Sequence, residues 1–531
     1  MFGIPTHLLA KVTATEAATA VTLPVNPIVI AALSFTPRHL FLRTSTQATS
    51  GNPNLLLRFN NDSGTNYNSQ VLYGYSTTTG AWAGTSQTSM SLIGNIDDLS
   101  NTFSISETLF PDALSTRTHK SAVSLGGRLE EVVELGVGRW EDTATIASVT
   151  CLVDSSTFAA GSTFELCAVD ESYLISGGET INTGTAQFDK SSISAADGDL
   201  VIIGNLRSDV SSNIEELGLR FNGDTTDGNY IRQRMTGHNN SITGAYSSAS
   251  NAVSHTAAAN ADANSFSGFI AQIPNFSDGS NDRIALTLGG GHFSDSDQQL
   301  AMMSLRRDNA DAINRIGVAA RNGTGWLANS MLSIYAVPKG QITRTELSGD
   351  ASSVAFTSIP QTYDHLEVTA YVRDDRSATS DDILMSLTPV GGSNDTTDAN
   401  YDTQLLQGAG STLTAAQSAA DRTVGNISSA NETANAFGVL TITLVNYAKT
   451  DRHKHSLSVS GRAASATGIY FRSNRWENTA AIEAITFTPS AGSNFVAGSV
   501  FQLRGINPPA AAATDIETIN GIAAANIEAV N

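Results

Sequence analysis

RWEDTATIASVTCLVDSSTFAAGSTFEL, from Arg139 to Leu166, decides how the chain is read, because it returns near the C-terminus as RWENTAAIEAITFTPSAGSNFVAGSVFQL, from Arg475 to Leu503. Trp140 aligns with Trp476, Ile146 with Ile482, Val149 with Ile485, Phe158 with Phe495 and Leu166 with Leu503. A more diverged copy runs from Arg307 to Ile334, with Arg307 at the Trp position and Trp326 at the Phe158 position. Self-similarity at a fixed period means one structural unit used several times.

The rest of each unit repeats as well. Phe103 to Leu125, Phe266 to Leu288 and Phe437 to Val459 are each 22 positions apart, and Tyr67 to Gly74, Tyr230 to Gly237 and Tyr401 to Gly408 are each seven apart. Ahead of those tyrosines stand LRFNNDSGTNY (Leu57 to Tyr67), LRFNGDTTDGNY (Leu219 to Tyr230) and MSLTPVGGSNDTTDANY (Met385 to Tyr401). Earliest come HLFL at His39, DLVI at Asp199 and HLEV at His365.

Within each unit, apolar residues alternate in short runs. Leu40 and Leu42 share one face, as do Leu55, Leu57 and Phe59, and Phe103 and Ile105. Alternation over four to eight residues, rich in Thr, Val, Ile and Phe and bounded by Asn, Asp, Ser and Gly, is the signature of antiparallel strands. About eight such runs per unit predict an all-β chain of three tandem antiparallel β-sandwich or jelly-roll-like modules. The expected organisation is an N-terminal arm over 1–21, module one over 22–170, linker and module two over 171–339, module three over 340–509, and a C-terminal docking arm over 510–531. The joints at Gly177 and Gly178 and at Pro338, Lys339 and Gly340 are short, which favours a fixed stack or arc of modules. Leu413 to Asp421 is Ala-rich and reads as a short helix.

Lys+Arg number 30 against Asp+Glu 50, a formal net charge of −20, which argues against nucleic-acid or anionic-membrane partners. The most apolar N-terminal run, Pro27 to Leu33, is too short to span a bilayer, and no secretory signal is visible. The two cysteines make no disulfide framework. Parity places Cys151 pointing inward and Cys167 pointing out, so the two are expected to be free thiols.

Asp62, Asp224, Asp227, Asp395 and Asp398 sit in oxygen-rich loops, but without the alternate-position carboxylates and closing glutamate of a calcium loop. Asn, Asp and Gly together are also what a tight inter-strand turn requires, and the turn is the preferred reading. Trp140 with Glu141 and Trp476 with Glu477 suggest a glycan contact, Trp as stacking platform and Glu as acceptor. The fixed place of the motif in the module favours a core plug at the sheet rim with Arg and Glu paired beside it. His39 and His365 are repeat equivalents, as are His119 and His453, so the module explains them better than an active site does. No nucleophile elbow, phosphate-binding loop or His-Glu-x-x-His is present. Catalytic, cofactor and metal residues are therefore assigned to none.

IPQTYDHLEV at Ile359 to Val368, LRFNNDSGTNY, SLGGR at Ser124 to Arg128 and the Trp476 and Phe495 stretch together resemble a repeated β-sandwich module of tailed-bacteriophage virion proteins. Module two departs most from that pattern, at Arg307 and Trp326. The tail INGIAAANIEAVN is similar to short linker repeats of phage tail and fibre proteins. The resemblance implies a non-enzymatic structural component of the particle exterior, either capsid decoration or part of the tail and its fibres. It further implies assembly in the host cytoplasm, other virion proteins as partners and homo-oligomerisation. The rival reading is a tail adhesin or depolymerase acting on host polysaccharide.

Overall fold

In the computed structural model the described residues are 3–4, 6–25, 27–93, 95–128, 131–181, 186–194, 198–338, 342–463, 467–506, 518–519 and 522–523. The C-terminal docking arm assigned to 510–531 falls almost wholly outside them.

Module one contains β1 (Thr6–Thr13), β2 (Ala20–Pro24), β3 (Leu40–Thr46), β4 (Leu55–Phe59), β5 (Tyr67–Tyr75), β6 (Thr78–Gln87), β7 (Met90–Ile93), β8 (Ser104–Phe110), β9 (Lys120–Arg128), β10 (Val132–Trp140), β11 (Ser148–Val153) and β12 (Thr163–Val169). An eight-stranded sheet in the order β1-β12-β3-β8-β9-β10-β5-β6 packs on a four-stranded sheet in the order β2-β11-β4-β7. All the named strand pairs are antiparallel. Modules two and three repeat the same twelve strands in the same two orders.

The strands correct several expectations. The two-sheet sandwich expected of each module is present, but it has twelve strands in unequal sheets where about eight, in a jelly roll or a related two-sheet sandwich, were expected. Residues 1–21, read as an arm outside the sandwich, contribute β1 and the start of β2. Thr6–Thr13 pairs with β12, and Leu9, Ala10 and Val12 enter the sandwich core. The counterparts of β1 are Leu174–Thr180 and Thr343–Glu346, so the first of these, read as linker, also belongs to a sandwich. The Ala-rich stretch read as a helix is the strand Thr412–Ser418, paired along its length with Tyr401–Ala409. Cross-strand pairing there overrides the helix propensity of alanine.

Each sandwich encloses its own core. Trp140, Phe59 and Phe158 are in the first, Trp326 and Phe221 in the second, Trp476 and Phe495 in the third. A further core belongs to all three modules at once. It contains Leu72, Leu125 and Leu135 of module one, Met235, Leu288 and Met302 of module two, and Leu406, Val459 and Phe471 of module three. In register these are three equivalent triplets: Leu72 faces Leu135, Met235 faces Met302 and Leu406 faces Phe471. The eight-stranded sheets thus turn their outer faces toward one another around a pseudo-threefold axis. The modules form a closed ring, not the stack or arc that the short joints suggested.

The repeated glycines lie where this closure is tightest. A β-carbon on Gly74 would stand 3.2 Å from the Leu406 β-carbon; on Gly237, 3.3 Å from that of Leu72; on Gly408, 3.3 Å from that of Met235. Each glycine of the Tyr-to-Gly spacing therefore admits the axial apolar residue of a neighbouring module. Absence of a side chain is what lets the backbones approach.

Candidate functional site

Trp140 ends β10 opposite Tyr67, the two rings stacked at 6.4 Å; Trp476 and Tyr401 repeat this at 6.3 Å. Both tryptophans are 1% exposed. The Trp140 Nε1–H donates to Asp62 Oδ2 at 2.7 Å, and Trp476 Nε1–H to Asp395 Oδ2 at 2.8 Å. In module two Arg307 occupies the Trp place, and its Nε–H donates to the equivalent Asp224 at 3.2 Å. The donor is kept although the ring is not.

The same aspartates build the turns that the Asn/Asp/Gly loops suggested. Asp62 Oδ1 accepts from the Gly64 amide at 2.8 Å and Oδ2 from Asn66 at 2.9 Å. Asp224 does so with Thr226 and Asn229, and Asp395 with Thr397 and Asn400. Burial would raise the Asp62 carboxyl, but the hydrogen bonds from Asn66, Trp140 and Gly64 hold it below the ordinary range. The tyrosine hydroxyl closes the loop by donating to the carbonyl of Asp62, Asp224 or Asp395. Burial pushes the Tyr67 and Tyr230 phenols up to about 12. These carboxylates are thus engaged by the turn and the rim residue.

Glu141 and Glu477 do not complete a sugar site. Each is bonded by the arginine two residues before it, Arg139 or Arg475. Those arginines also reach the next module: Arg139 pairs with Asp262 at 3.1 Å, and Arg475 donates to Thr102 at 3.4 Å. Their equivalent Arg306 donates to the Ala463 carbonyl. The Arg-Trp-Glu motif is therefore a rim plug joined to an inter-module clamp. Trp140 and Trp476 belong to separate cores and are not brought together. Neither ring presents a face to solvent, so neither Trp140 nor Trp476 is a stacking platform for a glycan.

A second set of equivalent contacts runs around the axis. His39 Nε2 lies 3.2 Å from Ser333 Oγ, Gln502 Nε2–H donates to Asp199 at 3.2 Å, and His365 Nε2–H donates to Glu165 at 2.8 Å. Thus the HLFL, DLVI and HLEV positions make the same link, from module one to two, two to three and three to one. Burial would raise the Glu165 carboxyl, but His365, Lys11 and Arg43 more than offset this and hold it far below the usual range. Burial lowers the His39 imidazole to about 3, keeping it neutral. Different chemistry at three equivalent joints makes each pairing specific to its own neighbour.

Asp374 and Asp381 form a carboxyl pair that no sequence motif announces. Burial, then the hydrogen bond to Asp381, raises Asp374 to about 7. Asp381 is held by Arg376 at 3.0 Å and by the Ala491 and Gly492 amides, each at 2.8 Å. With 0% and 2% exposure the pair has no face open to a substrate. A cavity of about 300 Å³ opens among the start of β1, the end of module two and the last strand of module three. Its charged walls are already matched: His7 with Asp170 at 2.9 Å, and Arg504 with Glu367 at 3.3 Å and Asp199 at 3.0 Å. Among the described residues no group of three or more His, Cys, Asp or Glu is placed to hold a metal.

No protein-family model matches the chain, and no curated protein matches it. Among solved structures, the chain is similar at 10% identity to domains LG4-5 of the mouse laminin alpha1 chain, over 62% of this chain and 91% of that one, with a TM-score of 0.14. A point variant of human galectin-16 aligns at 13% identity over 30% of this chain and 99% of its own, with a TM-score of 0.15. The GH43 protein BlXynB mutant from Bacillus licheniformis aligns at 7% identity over 85% and 100%, also at 0.15. Likeness at that level carries no functional argument.

Proposed function

We propose that this chain is a non-enzymatic structural protein of a bacteriophage particle exterior, serving as capsid decoration or as part of the tail and its fibres. The observation that carries the reading is the closed ring. One polypeptide supplies three sandwiches of one fold about an axis, with the interfaces built in, and so presents the same scaffold in threefold array to whatever lies beneath it. Such a body suits a threefold position on a capsid or a trimeric tail part, where other proteins would need three chains. The net charge of −20 suits a solvent-facing place away from packaged nucleic acid. The resemblance of IPQTYDHLEV, LRFNNDSGTNY and the Trp476 stretch to phage virion modules points the same way.

The test is composition. Particles from a phage encoding this chain, banded twice on a density gradient, are expected to retain it in constant ratio to the major capsid protein. Its absence from banded particles contradicts the proposal.

A further inference from the structure

Residues that recur in all three modules are accounted for by the shared fold, so the informative residues are costly ones that occur once. The β5–β6 hairpin of module one carries three: Tyr73, Tyr75 and Trp82. In register, their counterparts in modules two and three are Thr236 and Gln407, His238 and Ala409, and Ala245 and Ala416. Tyr75 is 45% exposed and Trp82 38%, whereas Trp140, Trp326 and Trp476 are buried.

All three aromatics share the face opposite axial Leu72, since Val71, Tyr73 and Tyr75 alternate with it and Trp82 pairs with Val71. β6 is the edge of its sheet, and no residue along it is fully buried. Two glycines set how the rings lie. A β-carbon on Gly80, the partner of Tyr73, would collide with the Tyr73 hydroxyl and Cζ, so that ring lies across its partner strand. A β-carbon on Gly84 would stand 2.8 Å from Trp82 Cη2 and 2.7 Å from the Gln87 carboxamide, so indole and amide lie side by side over that glycine. Modules two and three have Thr243 and Thr414 at the Gly80 place, and Ser247 and Ser418 at the Gly84 place. Trp82 and Tyr75 are thus exposed on this face, and Tyr73 lies half-buried beside them over bare backbone.

We propose that this face of the β5–β6 hairpin binds carbohydrate, Trp82 and Tyr73 stacking on the apolar face of a neutral pyranoside while the Gln87 amide N–H donates to a ring hydroxyl. A pyranose presents C–H bonds on one face and hydroxyls at its rim, which matches a flat aromatic surface with an amide at its side. A net charge of −20 disfavours acidic sugars. The assignment does not depend on the particle reading, and it places sugar binding at residues unrelated to the buried rim tryptophans.

Because the other three tryptophans are buried, changes in emission on adding sugar report on Trp82. The full chain is titrated with maltohexaose, cellohexaose, xylohexaose and mannohexaose, and with sialyllactose as the acidic control. At least one neutral oligosaccharide is expected to give a saturable change with half-saturation at or below about 10 mM. By calorimetry Trp82→Ala abolishes that binding, and Tyr73→Ala weakens it at least about tenfold, with unchanged melting for Trp82→Ala. No saturable change with any neutral sugar, binding that survives Trp82→Ala, or tighter binding of sialyllactose each overturns the proposal. The first of these is also what a protein-docking face would give.

Discussion

The side-chain amide of Gln70 donates to the carbonyl of Asn239 at 2.9 Å, across the boundary between modules one and two. Gln233 does the same to Gly410 at 2.9 Å, and Gln404 to Ser76 at 3.0 Å, closing a cycle of three. Each acceptor is six residues beyond the glutamine of its own module, at a hairpin tip with positive φ: 51° at Asn239, 57° at Gly410 and 51° at Ser76. The tips are thereby held against one another around the axis.

Gln233 is the most heavily engaged of the three, because its Oε1 also accepts from the Gly410 amide at 2.9 Å and from Thr467 at 2.7 Å. Gln233→Ala leaves buried groups of module three without partners and is expected to cost about 2 kcal/mol in denaturant unfolding. An unchanged midpoint would show that the cycle contributes nothing.

The axial glycines give a graded test. Gly408→Ala places a methyl at ordinary to tight contact with Met235 and Ile469 and is expected to lower stability by about 1 kcal/mol. Gly408→Leu requires the sheets to separate and is expected to cost 3 kcal/mol or more, on the order of the upper range for overpacking. Equal effects of the two variants, measured by urea denaturation, would place this position away from a close approach.

At the rim, Trp140→Phe keeps a buried ring but removes the hydrogen bond to Asp62, for an expected loss of about 1 to 2 kcal/mol. Trp140→Ala adds a cavity, for about 3 to 5 kcal/mol. A Phe variant as damaged as the Ala variant would mean that the indole N–H, and not ring volume, dominates.

Asp374 gives a pH dependence whose sign follows from its raised carboxyl. The folded chain holds the proton up to about pH 7, while an ordinary aspartate releases it near 3.8. Stability from this proton is full below the lower value and is lost as pH rises through the higher one. Asp374→Asn retains a donor for Asp381 without ionising, so it is expected to flatten this slope and to raise stability at pH 8 by about 1 to 2 kcal/mol. A variant whose melting follows the parent from pH 5 to 8, within about 0.5 kcal/mol, would exclude the shared proton.

Cys151 lies in the core of module one and Cys167 in the common core, on opposite sides of the larger sheet. Both are free and buried, and burial pushes the Cys167 thiol up to about 12. Thiol titration is expected to find none reactive in the native chain at pH 8 and two after denaturation.

The threefold repeat, the all-β class and the inward and outward parity of the cysteines were legible because each follows from local alternation or alignment. The ring was not, for a reason visible in Lys120–Arg128. Val123 and Leu125 point to the common core, while Ala122, Ser124 and Gly126 are small residues on the other face. Alternation of large apolar with Ser and Gly reads as one buried face and one solvated face. Here both are buried, Ser124 donating to the Leu92 carbonyl at 3.4 Å beneath β7. Likewise the Arg-Trp-Glu motif showed where the rim lies but not that Arg139 reaches Asp262 of another module. Asp374 and Asp381 meet only after residues around Gly492 fold over them.

Cryo-electron microscopy of particles that retain this chain decides whether it forms a closed threefold body on their exterior. Reconstruction without imposed local symmetry is expected to show one chain per site, its three sandwiches around an axis that coincides with a threefold of the capsid or with the axis of a trimeric tail part. Sandwiches strung end to end, or a ring whose axis meets no threefold element of the particle, would rule this role out.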